Sequence, residues 1–108
     1  MIDPLVQQIA QEYKANLHNI YGDDLAELIL FGSYARGEQQ ADSDVDFAVV
    51  FRNPEIRPSA ELFKTAPVAS ELSLKYGLMI STLPVSLYKK ETSIQGVYRN
   101  IRKEGIVI

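Results

Sequence analysis

The chain has 108 residues, a formal net charge of −3, no cysteine and one histidine. That length supports one domain with a single hydrophobic core, and the composition excludes disulfides, thiolate metal sites and a zinc centre built on His18. Charge is unevenly spread, with nine acids against two bases in residues 1–50 and nine bases against five acids in residues 51–108; this argues against stable nucleic-acid binding and suits a site that takes divalent cations.

Asp3 and Pro4 form a helix start, an N-cap followed by proline at the first helical position. Leu5, Ile9, Tyr13, Leu17 and Ile20 recur at helical spacing, which predicts an amphipathic helix over 4–20, ended by Gly22. Residues 25–31, LAELILF, read as a strand stopped by Gly32, and 45–51, VDFAVVF, as a second. Asn53, Pro54 and Pro58 mark a loop. A helix over 59–76 follows, with Pro67 as a break or a restart, and its clearer half is 67–76. Leu78 to Leu83 reads as a third strand that ends before Pro84. Thr92 and Gln95 have the form of a capping box for a last helix, which buries Ile94, Val97, Tyr98 and Ile101 and runs to Gly105. Residues 106–108 add a short strand. The alternation is too short for a doubly wound sheet, so the expected fold is α/β (α+β): a small mixed sheet with helices packed on one face, in a single domain over 1–108. No segment is apolar enough to span a bilayer, and residues 1–10 lack the pattern of a secretory signal, so a cytoplasmic protein without membrane association is expected.

The chemistry concentrates in LFGSYARGEQQADSDVDFAVVF, residues 30–51, where Asp42, Asp44 and Asp46 alternate at the mouth of a strand. An EF-hand loop would place glycine and glutamate where this chain has Phe47 and Asn53. A P-loop would continue Gly32 and Gly37 with a lysine and a hydroxyl, where Glu38 and Gln39 stand. A third arrangement uses all the residues. Gly32-Ser33 makes a sharp turn after the first strand, and its amides with the Ser33 hydroxyl can face a polyphosphate. Asp44 and Asp46, two apart on an extended strand, project to one face. Paired carboxylates of this kind suit magnesium, which links them to phosphates. Read singly, Gly32-Ser33 is an ordinary turn and the two aspartates a solvated strand edge; the joint pattern is what points to a site. Asp42 is read as a turn cap.

The run G-S-Y-A-R-G followed by S-D-V-D resembles the signature of minimal nucleotidyltransferases, the compact branch of the DNA polymerase beta-like superfamily, in which GS is followed after ten residues by DxD. Gly32, Ser33, Asp44 and Asp46 match it without a gap, Arg36 and Gly37 match its extended form, and the closing YRNIRKEGIVI is similar to the end of many such chains. The resemblance implies the polymerase beta-like fold. It implies a triphosphate held by Gly32 and Ser33, with Arg36 and Gly37 beside it, and Mg2+ on Asp44 and Asp46. It further implies a nucleotidyl group passed from an NTP, expected to be ATP, to an acceptor. Because many relatives are antitoxins paired with a HEPN-domain toxin, the expected acceptor is a small helical HEPN-type protein, AMPylated and bound. One departure stands out: superfamily catalysts take a third carboxylate from the next core strand, here LMISTL, and no Asp or Glu lies between Glu71 and Glu91. Ser81 or Met79 occupies that neighbourhood. The alternative is therefore a weak or inactive nucleotide-binding subunit that acts by covering its partner. Arg99, Arg102 and Lys103 read first as cations favoured at a helix C-terminus, Arg36 equally as a surface ion pair, and Tyr13 and Tyr76 as packing residues.

Overall fold

The computed structural model describes residues 2–108. Helix α1 (Pro4–Tyr21) starts as expected: the Asp3 carboxylate accepts hydrogen bonds from the amides of Leu5 and Val6 at 2.8 and 3.3 Å. A 3-10 turn (Gly22–Asp24) leads into β1 (Leu25–Phe31), followed by the one-turn helix α2 (Ser33–Arg36), β2 (Val45–Phe51), α3 (Pro58–Tyr76) and β3 (Ile80–Ser86). Two short helices, α4 (Leu87–Thr92) and α5 (Gly96–Glu104), precede the terminal strand β4 (Ile106–Val107).

The strands form one mixed sheet in the order β3-β2-β1-β4. β1 pairs antiparallel with β2 and β4, and β2 pairs parallel with β3 through the α3 crossover. β2 is central and covered on both sides, which explains its near-continuous apolar run. On one side α1 and α3 bury Ile9, Tyr13, Leu17, Ala69 and Leu72 against Leu28, Leu30, Phe47 and Phe51, and the Tyr13 and Phe47 rings meet edge to face at 5.5 Å. On the other, Ile101 and Tyr98 of α5 join Ile29, Ala48, Val50 and Val85. The long helices thus share one face, as expected, and α5 adds cover on the opposite one. No helix among the described residues is long and apolar enough to cross a membrane.

Several boundaries differ from the sequence reading. The third strand is Ile80–Ser86 and runs through Pro84; β3 is an edge strand with a ladder on one side only, where a missing N–H is tolerated. α3 is continuous through Pro67, which lies on its exposed face. The Thr92–Gln95 capping box does not form. Thr92 Oγ1 donates to the Tyr88 carbonyl at 2.7 Å as the last residue of α4, a helix the periodicity did not predict, and α5 begins at Gly96 without a side-chain cap. Ile94 is consequently 86% exposed. The true cap in this region is Ser86, whose hydroxyl accepts from Lys89 N at 3.1 Å.

An interior proline removes one helical hydrogen bond and crowds the preceding turn, a cost of about 3 kcal/mol that is partly offset by its stiffening of the unfolded chain. Pro67→Ala is accordingly expected to raise the unfolding free energy by about 1–2 kcal/mol, measured by urea denaturation; an unchanged or lower value would show that α3 has adapted fully to the proline.

Candidate functional site

The site begins where β1 ends. Gly32 adopts φ 77° and ψ −157°, a conformation that side-chain-bearing residues rarely take, and the chain then winds into the single turn of α2. The Gly32 carbonyl accepts from Ala35 N and Arg36 N at 3.1 and 3.2 Å, and Gly37, at φ 73°, closes the turn through its amide to the Ser33 carbonyl. Tyr34 is buried in the main core with Ala35 packed against it, so the turn is anchored rather than loose. As the first residues of a helical turn, Ser33 and Tyr34 have amides without a carbonyl one turn earlier.

β2 brings the carboxylates to this turn. Asp46 is in register with Phe31 on one neighbour and with Ser81 on the other. Its carboxylate lies directly against Gly32: a Cβ built on that glycine would sit 3.2 Å from Asp46 Cγ and overlap Oδ2. The glycine is therefore required twice, by its backbone angle and by the neighbouring acid. Asp44 is exposed, just ahead of the strand, and close enough to act on its neighbour. Burial pushes the Asp46 carboxyl above its usual range, Asp44 adds to the shift, and Arg36 opposes it. Asp42 lies in the turn before the strand, where Ser43 Oγ accepts from Gln40 N at 2.8 Å.

Arg36 is exposed and forms ion pairs with Glu38 at 3.5 Å and Glu104 at 3.0 Å. Glu104, at the end of α5, also accepts from Gly32 N at 3.3 Å. It was not among the residues singled out in the sequence. Its one cue is position, in K-E-G between a helix and a strand, and only the pairing of β4 with β1 brings that segment to the turn. Ser33, Asp44, Asp46, Gly32 and Arg36 are brought together; Gly37 closes the turn and is exposed. Ser81 of β3 is level with Asp46, whereas Met79 lies before β3 and accepts from Val45 N through its carbonyl at 2.8 Å.

Asp46, partly buried and repelled by Asp44, offers with it two carboxylates that would suit a hard divalent cation, which would offset their charge. Among the described residues no group of three His, Cys, Asp or Glu is placed to hold a metal alone. An apolar groove lined by Leu62, Ala66, Leu74, Met79 and Ile80 runs between α3 and β3, and the β3 residues that line it, Ile80 and Thr82, alternate with Ser81. The arginines of α5 lie elsewhere: Arg102 donates to the carbonyls of Lys90 and Ser93 at 2.7 and 2.8 Å, tying α5 to α4.

A family model described as "Nucleotidyltransferase domain" matches residues 8–108. A Methanocaldococcus jannaschii protein described as "Putative protein adenylyltransferase" is 38% identical over 84 residues, covering 77% of this chain and 79% of that protein. A crystal structure of a toxin-antitoxin with AMP-PNP superposes with a TM-score of 0.57 at 22% identity, over 88% of this chain and 68% of that one. A Shewanella oneidensis complex of a tri-AMPylated HEPN toxin with an MNT antitoxin gives 0.53 at 20% identity, over 94% and 70% of the respective chains. At these identities the two structures share the fold with this chain.

The raised Asp46 pKa has a direct consequence for stability. A carboxylate whose pKa is higher folded than unfolded favours the folded state when protonated, and that contribution is lost as pH rises through the folded value. Without divalent cations at pH 7, Asp46→Asn is expected to melt at a higher temperature than the wild type. The gap should close as the pH falls below the ordinary carboxylate range. Equal melting temperatures across the series would mean that the acid is at ease without a ligand.

Proposed function

The chain belongs to the nucleotidyltransferase domain family, and from that premise we propose that it is a magnesium-dependent adenylyltransferase that moves AMP from ATP to a hydroxyl of a small helical HEPN-type partner. The observation that carries this reading is the contact of the Asp46 carboxylate with Gly32, which sets an acid, with Asp44 close enough to act on it, against the turn that opens α2. Ser33 Oγ and the leading amides of α2 hold the triphosphate, and Arg36 faces its negative charge. Asp44 and Asp46 hold the cation, which when bound offsets charge on the phosphates and aligns the attacking and leaving oxygens. The acceptor oxygen forms a bond to the α-phosphorus, the bond to the bridging oxygen of pyrophosphate breaks so that pyrophosphate leaves, and the acceptor proton passes to solvent water.

That proton meets no base at Ser81, because a hydroxyl does not accept it at neutral pH. A general base contributes about 10²–10⁴ in rate, so transfer is slow by about that factor relative to a site with a third carboxylate. ATP as donor and a HEPN-type acceptor are supported by the AMP-PNP and AMPylated-toxin complexes that share the fold, and a cytoplasmic location agrees with the supply of ATP. The Ser81 position also favours a second reading, a nucleotide-binding subunit that neutralises its partner by covering it.

With ATP labelled at the α-phosphate, magnesium and a HEPN-type partner encoded beside it, the label is expected on the partner. Asp44→Asn and Asp46→Asn should each lower the yield at least about 100-fold. Retained neutralisation of the partner in cells by both variants would favour the covering subunit instead. Ser81→Asp is expected to raise the initial rate about tenfold or more by supplying the missing acid; no gain would place the limit on a step other than proton removal.

A further inference from the structure

Glu104 is held at the nucleotide turn by several independent anchors. Ile101 of the same helix is buried against the sheet. Gly105 follows in a space that admits no side chain, since a Cβ there would overlap the Ile101 carbonyl and the Ile29 side chain. Its amide donates to the Ile101 carbonyl at 2.9 Å, and β4 then pairs Ile106 with Leu30 and Val107 with Ile29. The carboxylate so delivered is largely shielded, its side chain 20% exposed, and it takes the Arg36 guanidinium on both oxygens at 3.0 and 3.2 Å. The oxygen nearer Arg36 also accepts the Gly32 amide. One acid thus fixes both the arginine and the glycine that backs Asp46. Glu38, the other partner of Arg36, is 67% exposed and 3.5 Å away, the geometry of a surface pair worth little.

We propose that Glu104 is a positioning residue for the nucleotide, holding Arg36 and, through the Gly32 amide that donates to it, the start of the α2 turn in the alignment that receives the triphosphate. This rests on the adenylyl-transfer reading. Arginine has many rotamers, and confining it before the ligand arrives removes that ordering cost from binding. Glu104 acts from α5 by fixing Arg36 and the Gly32 amide, so its removal leaves the phosphate-contacting groups present but loose.

The test is the affinity of a non-hydrolysable ATP analogue with magnesium, measured by calorimetry, beside the melting temperature without ligand. Glu104→Ala is expected to weaken binding about tenfold, Glu104→Gln less, because its amide oxygen still accepts, and Glu38→Ala not at all. Arg36→Ala should weaken binding similarly, with Glu104→Ala adding nothing on top of it. Wild-type affinity in Glu104→Ala would overturn the proposal, as would tighter binding or an additive loss in the double variant. If Glu104→Ala does not fold, Glu104→Gln is judged in the same double-variant comparison. Failure of the wild type to bind the analogue would overturn the adenylyl-transfer reading and this proposal with it, whereas wild-type binding with an indifferent Glu104 overturns this proposal alone.

Discussion

The arrangement depends on one contact, the Asp46 carboxylate pressed onto Gly32. An acid in that position is partly desolvated and has a second acid, Asp44, close by just ahead of the strand; both effects oppose its charge. The rest of the fold keeps it there. β2 is the central strand, hydrogen-bonded on both sides and covered on both faces, so it cannot swing to relieve the repulsion. Gly32 is equally fixed, between a buried strand and a helical turn whose Tyr34 is part of the core.

Topology decides which residues share this site. The antiparallel β1–β2 pair sets the end of β1 beside the start of β2, so the turn and the carboxylates come from one continuous stretch of sequence. The parallel β2–β3 pair, made through α3, brings in the next strand in the same direction and sets Ser81 level with Asp46. The β1–β4 pair recruits the end of the chain on the other side and with it Glu104. The first relation is local and the other two are not.

That difference explains what was legible in the sequence. Asp3 with Pro4, the two apolar strands and the Gly32-Ser33 turn are short-range patterns, and the folded chain has them where the pattern puts them, although β2 starts at Val45 and leaves Asp44 just ahead of the strand on which it was expected. Pro84 misled because a proline ends a strand only where both edges are paired, and the edge position of β3 is a property of the whole sheet. Thr92 and Gln95 misled for a local reason: Thr92 finds the Tyr88 carbonyl within its own helix, leaving no hydroxyl to cap the next one. The Ile94 side chain then belongs to a connection between helices and stays in solvent. Glu104 carried no spacing signal, since its partners Gly32 and Arg36 lie 72 and 68 residues away.

The same geometry separates binding from turnover. On the proposed reading, two carboxylates, a hydroxyl and a fixed turn gather the nucleotide with its cation through charge neutralisation and hydrogen bonding, which are ground-state interactions. Bond formation at phosphorus also requires the acceptor hydroxyl to lose its proton, and on that reading the β3 residue level with Asp46 is Ser81, which is no base at neutral pH. Asp44 and Asp46, if committed to the cation, have lowered basicity for the same reason that they bind it. Within the proposed adenylyl transfer, these residues therefore favour binding over turnover, and a faster site calls for an acid on β3 rather than a better grip on the phosphates.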